Sequence, residues 1–90
     1  MLDTTIIEQI RALVLSGSDV PAIVGYLQQH SGKQRMNAFE IIRYFMEAFG
    51  LSLSEVRPLE GAACLGNSAY SNAEINASLL PMIREKLRRA

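Results

Sequence analysis

The chain has 90 residues, of which 49% are hydrophobic and 20% are charged, and nine Lys and Arg residues balance nine Asp and Glu residues. Because a domain typically contains roughly 100–150 residues, this length predicts a single domain that spans 1–90. The high hydrophobic content and the zero formal charge exclude a disordered chain. Domains that bind polyanions usually carry a clear basic excess, so the charge balance disfavours a general nucleic-acid binder.

Cysteine content and the N-terminal residues predict a cytoplasmic protein. Cys64 is the only cysteine of the sequence, which excludes an intrachain disulfide. Asp3 and Glu8 lie where a secretory signal would have its cationic start, and no run of residues approaches the roughly 18 apolar residues of a membrane helix. We therefore expect a reducing compartment and no association with a membrane.

The first predicted helix rests on apolar residues that recur at helical spacing. They are Ile6, Ile7, Ile10, Leu13 and Val14. Thr5 with Glu8 has the spacing of a capping box, in which two residues bond each other's free backbone amides, and Asp3 is an alternative N-cap. Gly17 is placed to end the helix, because glycine adopts the left-handed conformation that other residues avoid.

A second helix is predicted from the sequence Ser18-Asp19-Val20-Pro21. Asp19 can accept hydrogen bonds from the free amides of the first turn. Pro21 is tolerated in that turn, because a backbone N–H there would have no partner within the helix. The apolar face of this helix consists of Val20, Ile23, Val24 and Leu27. His30 lies at its predicted end, and we interpret it as a surface residue, since a general base needs a positioned partner and a cleft.

The most apolar stretch of the sequence predicts a helix over 37–49. Asn37 is its predicted N-cap, and Glu40 completes a capping box. Large apolar side chains cover more than half of its circumference, so the helix must be covered on two sides and is placed at the centre of the fold. These side chains are Phe39, Ile41, Ile42, Phe45, Met46 and Phe49. Gly50 is placed to end the helix.

A short helix is predicted next, because Ser52 and Glu55 have the spacing of a capping box. Leu53 and Val56 are its apolar residues. Pro58 disfavours a helical conformation at the residue before it, so we expect one to two turns. A helix stop followed at once by a new helix start turns the chain through a corner.

Residues 60–72 are predicted to form a long irregular loop. The last helix starts at Ser71 or at the residue after it, and Glu74 completes a capping box. Its apolar stripe consists of Ile75, Leu79, Met82, Ile83 and Leu87. Pro81 lacks an N–H and clashes with the preceding turn, which predicts a kink near 77–80. These elements together predict an all-α fold, a compact bundle of four main helices plus one short helix.

The sequence shows no constellation of catalytic, cofactor-binding or metal-binding residues. One histidine and one cysteine fall short of a zinc site, which takes three or four ligands, and no glycine-rich phosphate loop is present. Cys64 stands in Ala62-Ala63-Cys64-Leu65-Gly66, the spacing of a nucleophile elbow, but an elbow needs a preceding strand and a large sheet. We interpret Cys64 as a buried structural thiol and expect no enzyme, no cofactor and no metal.

Binding to another protein is the function that the sequence favours. Tyr26, Tyr44 and Tyr70 are either interface residues, since one end of tyrosine is apolar and the other polar, or residues at the edge of the core. The loop 60–72 and its flank form the predicted contact surface, because long loops in compact domains are often functional. The predicted partner-binding residues are Arg57, Glu60, Asn67 and Tyr70. A second copy of the chain, giving a homodimer, is an alternative partner.

A small nucleic-acid-associated regulator is the alternative function. Its predicted phosphate contacts are the basic residues of the last helix, Arg84, Lys86, Arg88 and Arg89. The other interpretation of these residues is a solvated helix end, where positive charge is favoured. A helix-turn-helix formed by 19–30 and 37–49 is disfavoured, because its connector is long and its second helix is too apolar for a DNA groove.

Three resemblances bear on the function. The segment Phe45-Met46-Glu47-Ala48-Phe49-Gly50-Leu51-Ser52-Leu53-Ser54-Glu55-Val56-Arg57 is similar to the helix–Gly-Leu-Ser-Leu–helix step of mercury-resistance-type transcription regulators. Its Gly-Leu step is also similar to one in the C-terminal domain of the bacterial ribosomal stalk protein. In size, helical content and lack of catalytic residues, the chain resembles small bacterial immunity proteins. That resemblance implies a non-catalytic inhibitor that neutralises a toxin by occluding it.

Overall fold

The computed structural model describes residues 3–29, 38–66 and 69–89, and of Cys64 it describes the backbone alone. Within these residues the chain forms five α-helices and no strand. They are α1 (Thr4–Leu15), α2 (Val20–Gln29), α3 (Ala38–Phe49), α4 (Leu53–Val56) and α5 (Asn72–Arg89). Two 3-10 turns, Arg57–Gly61 and Ala63–Leu65, lie between α4 and α5. The predicted all-α bundle of four main helices plus one short helix is therefore confirmed.

Aspartate caps begin α1 and α2. The Asp3 carboxylate accepts a hydrogen bond of 2.9 Å from Thr5 N–H, so the alternative cap is the one that α1 uses. The Asp19 carboxylate accepts one of 3.0 Å from Ala22 N–H, as predicted for α2. The amides of the first turn have no acceptor inside the helix, so each cap supplies a hydrogen bond that one of them would otherwise lack. Such a cap typically stabilises the fold by about 1 kcal/mol. The predicted N-cap of α3, Asn37, lies outside the described residues.

The capping boxes predicted for α4 and α5 are both confirmed. Ser52 N–H donates to the Glu55 carboxylate at 2.9 Å, while the Ser52 hydroxyl accepts from Glu55 N–H at 3.3 Å. Ser71 and Glu74 make the same pair of bonds at 3.0 and 3.2 Å. Gly50, with a φ of +65°, ends α3 as predicted. These local contacts determine where the helices begin and end, and so where the chain turns.

The apolar face of α3 is enclosed by its neighbours. α3 packs against α1, α4, α5 and the 3-10 turn Arg57–Gly61. Phe45 is fully buried, and its ring meets that of Phe49 edge to face at a centroid distance of 5.6 Å. The buried residues of the helix are Ile41, Ile42, Tyr44, Phe45, Ala48 and Phe49. The predicted placement of this helix in the core is confirmed, and each large side chain buried there stabilises the fold by roughly 1.5–3 kcal/mol.

The C-terminal helix α5 shares the central position with α3. It packs against α1, α2 and α3 as well as the 3-10 turn Arg57–Gly61. Its buried residues are Ile75, Leu79, Leu80 and Ile83. The helix runs without interruption through Pro81, which is exposed, so the proline ring is accommodated on the outer side. The kink near 77–80 stays a prediction.

Side-chain hydrogen bonds fasten α1 to α3. Arg11 Nε donates to the carbonyl of Ala48 at 2.6 Å, and its Nη2 contacts that of Glu47 at 3.5 Å. These carbonyls belong to the last turn of α3, where the helix dipole favours a positive charge. Asp3 N–H donates to the hydroxyl of Tyr44 at 2.9 Å. Tyr44 is buried, so the structure supports its interpretation as a residue at the edge of the core.

Asn76 joins α5 to the start of α2. Its Oδ1 accepts from Val20 N–H at 2.9 Å, and its Nδ2 donates to the Asp19 carboxylate at 3.3 Å. Asp19 is thereby held between an amide of its own helix and a side chain of α5. The cap of α2 is therefore a tertiary contact as well as a local one.

The predicted apolar faces of α3 and α4 are each wrong at one position. Phe39 is 66% exposed, because at 3.6 residues per turn it lies about 120° around α3 from Phe45. Leu53 is 51% exposed, whereas Val56 is fully buried. The residues of a one-turn helix point in all directions, so only one of these two apolar side chains faces the core.

Truncation of the central aromatic residue should cost far more stability than truncation of the exposed one. We expect Phe45→Ala to lower the free energy of unfolding by about 3–5 kcal/mol, because it leaves a cavity in the core. Phe39→Ala should change the free energy of unfolding by no more than about 0.5 kcal/mol. Urea denaturation followed by circular dichroism measures both values. Similar losses for the two variants would contradict the enclosure of α3.

Candidate functional site

The described residues between α4 and α5, 57–66 and 69–71, contain two 3-10 turns and an isolated bridge, which corrects the irregular loop predicted for 60–72. The chain passes from α4 directly into the 3-10 turn Arg57–Gly61, and the turn Ala63–Leu65 follows. Arg57 has a right-handed helical backbone (φ −51°, ψ −36°), although the residue before a proline usually avoids this conformation. Pro58 lies in the first positions of the turn. A backbone N–H there has no acceptor within the turn, so its absence in proline costs no hydrogen bond.

Tyr70 is fastened to this segment through its backbone. Its N–H donates to the carbonyl of Gly61 at 2.9 Å, and its own carbonyl accepts from Ala63 N–H at 2.8 Å. These bonds accompany an isolated parallel bridge between Ala62 and Tyr70. Ala62 is fully buried, so the bridge holds Tyr70 against the edge of the core.

Glycine at position 61 allows the close approach of the tyrosine. A Cβ added at Gly61 would lie 2.7 Å from the Cβ of Ala69 and 3.1 Å from Cδ2 of Tyr70. Carbon atoms in contact are normally about 3.5–4.0 Å apart, so a side chain here would push both residues away. The ring of Tyr70 therefore lies close to position 61, and one short segment contacts both the ring and the backbone of the tyrosine.

Tyr70 lines an open groove of about 450 Å³ on the surface. The lining residues of this groove, named the Tyr70 groove, are Pro58, Tyr70, Glu74, Ile75, Ala77 and Ser78. Tyr70 remains 42% exposed. Glu74 is the charged member of the lining, and its carboxylate accepts from Ser71 N–H at 3.0 Å. The groove therefore presents a largely apolar surface that includes an aromatic ring.

Three of the predicted partner-binding residues belong to this region of the surface. Arg57 and Glu60 are exposed on the 3-10 turn that also supplies Pro58, and Tyr70 is bonded to the last residue of that turn. The fourth predicted residue, Asn67, lies outside the described residues. The structure thus places Arg57 and Glu60 on the turn to which Tyr70 is bonded, and the role of these residues in partner binding stays a prediction.

The sequence prediction missed the contribution of α5 to the groove. Glu74, Ala77 and Ser78 stand at positions i, i+3 and i+4, which lie on one side of a helix. This spacing identifies a common face, but small and polar side chains give it no hydrophobic signal. Only the packing of the 3-10 turn beside α5 shows that the face borders a groove.

The basic residues of the alternative site are divided between two sides of α5. Arg84 and Arg88 line a groove of about 370 Å³, and Lys86 and Arg89 line another of about 300 Å³. The other lining residues of the first, the Leu15 groove, are Val14, Leu15 and Leu87. Those of the second, the Glu85 groove, are Glu55, Pro81, Met82 and Glu85. Positions 84 and 86 lie about 160° apart around the helix, so the cations form no single face.

Carboxylates accompany the cations of the Glu85 groove. Glu85 pairs with Arg89 at 3.1 Å and with Arg88 at 3.6 Å. Glu55 lines the same groove opposite the cations of α5. Exposed ion pairs of this kind are individually weak, at about 0–1 kcal/mol. Their effect here is to leave little unbalanced positive charge on this side of α5.

Glu55 has a lowered pKa in the folded chain. The main cause is the hydrogen bond from the backbone N–H of Ser52, followed by the bond with the Ser52 hydroxyl. The positive charge of Lys86 lowers the pKa further. The capping box of α4 and the Glu85 groove are therefore electrostatically connected through this carboxylate.

Buried polar chemistry is absent from the part of the chain that the structure describes. No group of three or more His, Cys, Asp and Glu residues there is placed to hold a metal ion, and no polar side chain is buried. His30 and the side chain of Cys64 lie outside this part, so the interpretations of both stay predictions. Tyr26 is half-buried on α2. None of the helices in the described ranges combines the length and the apolar character needed to span a bilayer.

Comparison with known proteins assigns neither a family nor a function. Family models, curated proteins and solved structures gave no match to this chain. The function is therefore inferred from the geometry and charge of the Tyr70, Leu15 and Glu85 grooves.

The lowered pKa of Glu55 predicts a specific loss of stability in acid. Because folding lowers this pKa, the ionised carboxylate stabilises the fold above its ordinary value of 4.5, and that stabilisation disappears as the pH falls through the lowered value. Glu55→Gln lacks the titrating group, so its unfolding free energy should fall less between neutral and acidic pH. Urea denaturation across this pH range measures the difference. Parallel pH profiles for the two proteins would contradict the assigned hydrogen bonds.

The close contact at position 61 predicts opposite effects for two glycine substitutions. Gly61→Ala should lower the free energy of unfolding by about 1–3 kcal/mol, because the new methyl group overlaps Ala69 and Tyr70. Gly25→Ala is the matched control, since its added Cβ would meet nothing within 4 Å beyond the adjacent residues and the backbone of its own helix, and α2 should gain up to about 1 kcal/mol. Chemical denaturation gives both values. A stabilised Gly61→Ala variant would show that Tyr70 does not lie close to this glycine.

Proposed function

We propose that this chain is a non-catalytic protein-interaction domain that binds and occludes a protein partner through the Tyr70 groove, as toxin-neutralising immunity proteins do. The observation that carries the proposal is the fixed position of Tyr70. Its backbone is bonded to Gly61 and Ala63, its ring lies close to Gly61, and 42% of its surface stays exposed. A large side chain held in place at the surface is available to a partner.

A side chain positioned in advance favours binding. Association costs about 0.5–1.5 kcal/mol for each flexible side chain that it immobilises, and a side chain already held in place avoids much of that cost. Tyrosine is enriched among the residues that dominate binding energy, because its ring supplies apolar area and its hydroxyl a hydrogen bond. The Tyr70 groove therefore contains the type of residue on which protein interfaces depend.

The charges around the groove suit a protein surface better than a polyanion. Arg57 and Glu60, exposed on the adjoining turn, carry opposite charges, and Glu74 lies in the groove itself. A chain of phosphates would meet two carboxylates here, and like charges repel. We infer that the occupant is an apolar side chain of a protein partner, surrounded on that partner by residues of mixed charge.

The alternative proposal is a small nucleic-acid-associated regulator whose basic contacts are Arg84, Lys86, Arg88 and Arg89. Strong phosphate binding needs several cations to act together. These cations lie on two sides of α5, and the carboxylates of Glu55 and Glu85 line the groove of the second pair. This distribution of charge favours the protein-interaction proposal.

The proposal extends to the cellular location and the oligomeric state of the protein. We place the protein in a bacterial cytoplasm, because disulfides are rare in that compartment and Cys64 has no second cysteine in the sequence to pair with. A second copy of the chain is the other occupant that the groove could receive. The mass of the protein in solution separates the two, and a monomer is expected.

Truncation of Tyr70 should weaken the complex without affecting the fold. The tagged chain is used to capture a partner, the partner is purified, and calorimetry then gives the Kd of each variant. Tyr70→Ala should raise the Kd roughly tenfold or more, equivalent to about 1.4 kcal/mol. Phe39→Ala is the control, because this exposed aromatic residue lies on α3 outside the groove, and its Kd should stay within about twofold of the wild-type value.

Two results would overturn the proposal. One is an unchanged Kd for Tyr70→Ala while the variant keeps its helical spectrum. The other is binding to duplex DNA that weakens steeply with salt and is lost when the basic residues of α5 are neutralised, which would establish the alternative function.

A further inference from the structure

The Leu15 groove is a second surface, distinct from the Tyr70 groove. It is formed by Val14 and Leu15 of α1 and by Arg84, Leu87 and Arg88 of α5. On α5 the nearest lining residues of the two grooves are Ser78 and Arg84, which are about 9 Å apart along the helix and about 120° apart around it. The two grooves share no lining residue.

Leu15 gives this groove an exposed apolar side chain. It is 76% exposed at the last position of α1, whereas the preceding residue, Val14, is buried in the core. A single exposed leucine is ordinary on a protein surface and indicates nothing alone. Here Leu87, which is half-buried, lines the same groove, so the exposed leucine belongs to an apolar patch that reaches the core.

The lining of the Leu15 groove carries a net positive charge. Among the residues that the structure describes, its lining contains two guanidinium groups and no carboxylate, whereas the Glu85 groove contains two cations and two carboxylates. Within the described ranges Arg84 forms no ion pair, and Arg88 contacts Glu85 at the long distance of 3.6 Å. Because each guanidinium has five N–H donors, both arginines can bind carboxylates of a partner.

The spacing of the two arginines matches that of acidic residues on a helix. Arg84 and Arg88 are four residues apart, so they are displaced by about 6 Å along α5. Two acidic residues at positions i and i+4 of another helix have the same displacement and lie on one face. Apolar residues on the adjoining stripe of such a helix would face Leu15 and Leu87.

We propose that the Leu15 groove binds an acidic amphipathic helix of a protein partner. Its carboxylates pair with Arg84 and Arg88, and its apolar side chains pack on Leu15 and Leu87. The two arginines favour an anionic occupant, because opposite charges attract. The apolar side chains of Leu15 and Leu87 favour an occupant that also carries hydrophobic side chains. The groove is open, which suits a helix lying across it, whereas sites for small molecules typically enclose most of the ligand.

The test uses the ¹⁵N-labelled full chain and two synthetic helical peptides. One peptide has glutamates at i and i+4 with leucines on the adjoining stripe, and the other has glutamines in place of the glutamates. The glutamate peptide should cause saturable NMR shifts at the amides of Leu15, Arg84, Leu87 and Arg88. Its Kd should be roughly tenfold lower than that of the glutamine peptide and should rise with salt.

Matched variants separate this groove from general electrostatic attraction. Arg84→Gln combined with Arg88→Gln should raise the Kd roughly tenfold or more. Lys86→Gln combined with Arg89→Gln removes the same charge from the Glu85 groove and should change the Kd by no more than about twofold.

Two single variants complete the test. Leu15→Ser should raise the Kd roughly fivefold or more. Because the Leu15 side chain is exposed, this variant should keep its fold, so it tests the groove even if the double arginine variant unfolds. Tyr70→Ala should leave the Kd unchanged, since it alters the other groove.

Several results would overturn the proposal. One is the absence of saturable shifts in the Leu15 groove, and another is equal affinity for the two peptides. A third is an equal rise of the Kd in the Arg84/Arg88 and Lys86/Arg89 double variants. Tighter binding of an oligonucleotide or of oleate at the same amides would show that the occupant is a phosphate chain or a fatty acid instead.

Discussion

Burial of the aromatic face of α3 is the interaction on which the rest of the fold depends. α1, α2 and α3 contain 12, 10 and 12 residues, and isolated helices of such lengths are at best marginally stable in water. Their stability must therefore come from packing against one another. Among the described residues Phe45 is the largest side chain that is buried completely, and the helix that carries it, α3, packs against α1, α4 and α5.

The binding sites that we propose lie in surface grooves outside this core. The described part of the chain buries no polar side chain, and the grooves that it forms are open. α5 has a double role, because one side of it completes the core while other residues line the Tyr70, Leu15 and Glu85 grooves. The same helix thus links the stability of the fold to every surface for which we propose a partner.

Local signals made most of the fold predictable from the sequence. The capping boxes at Ser52 and Ser71 depend on residues three positions apart, and the helical stripes depend on spacings of three and four, so neither needs tertiary information. The exposure of Phe39 was not predictable in this way, because a largely apolar helix does not show which part of its circumference its neighbours cover. The bonds made by Arg11 and Asn76 cross between distant segments, and nothing in their local sequence indicates their partners.

The candidate site was predictable only in part, for the same reason. Tyr70 could be selected from its residue type and its position between two predicted helices. The 3-10 turns and the bridge that hold it were not predictable, since the tyrosine is bonded to Gly61 and Ala63, several positions earlier in the chain. The sequence shows the four cations of α5, but their separation into a balanced groove and a cationic groove depends on where α1 and α4 pack.

Native-state hydrogen exchange tests the enclosure of α3 most directly. Amides at 42–49 should exchange only when the whole chain unfolds, so their opening free energy should equal the global free energy of unfolding obtained from denaturation. Amides in this range that exchange through local openings, at a free energy well below the global value, would show that α3 is not the enclosed centre of the fold.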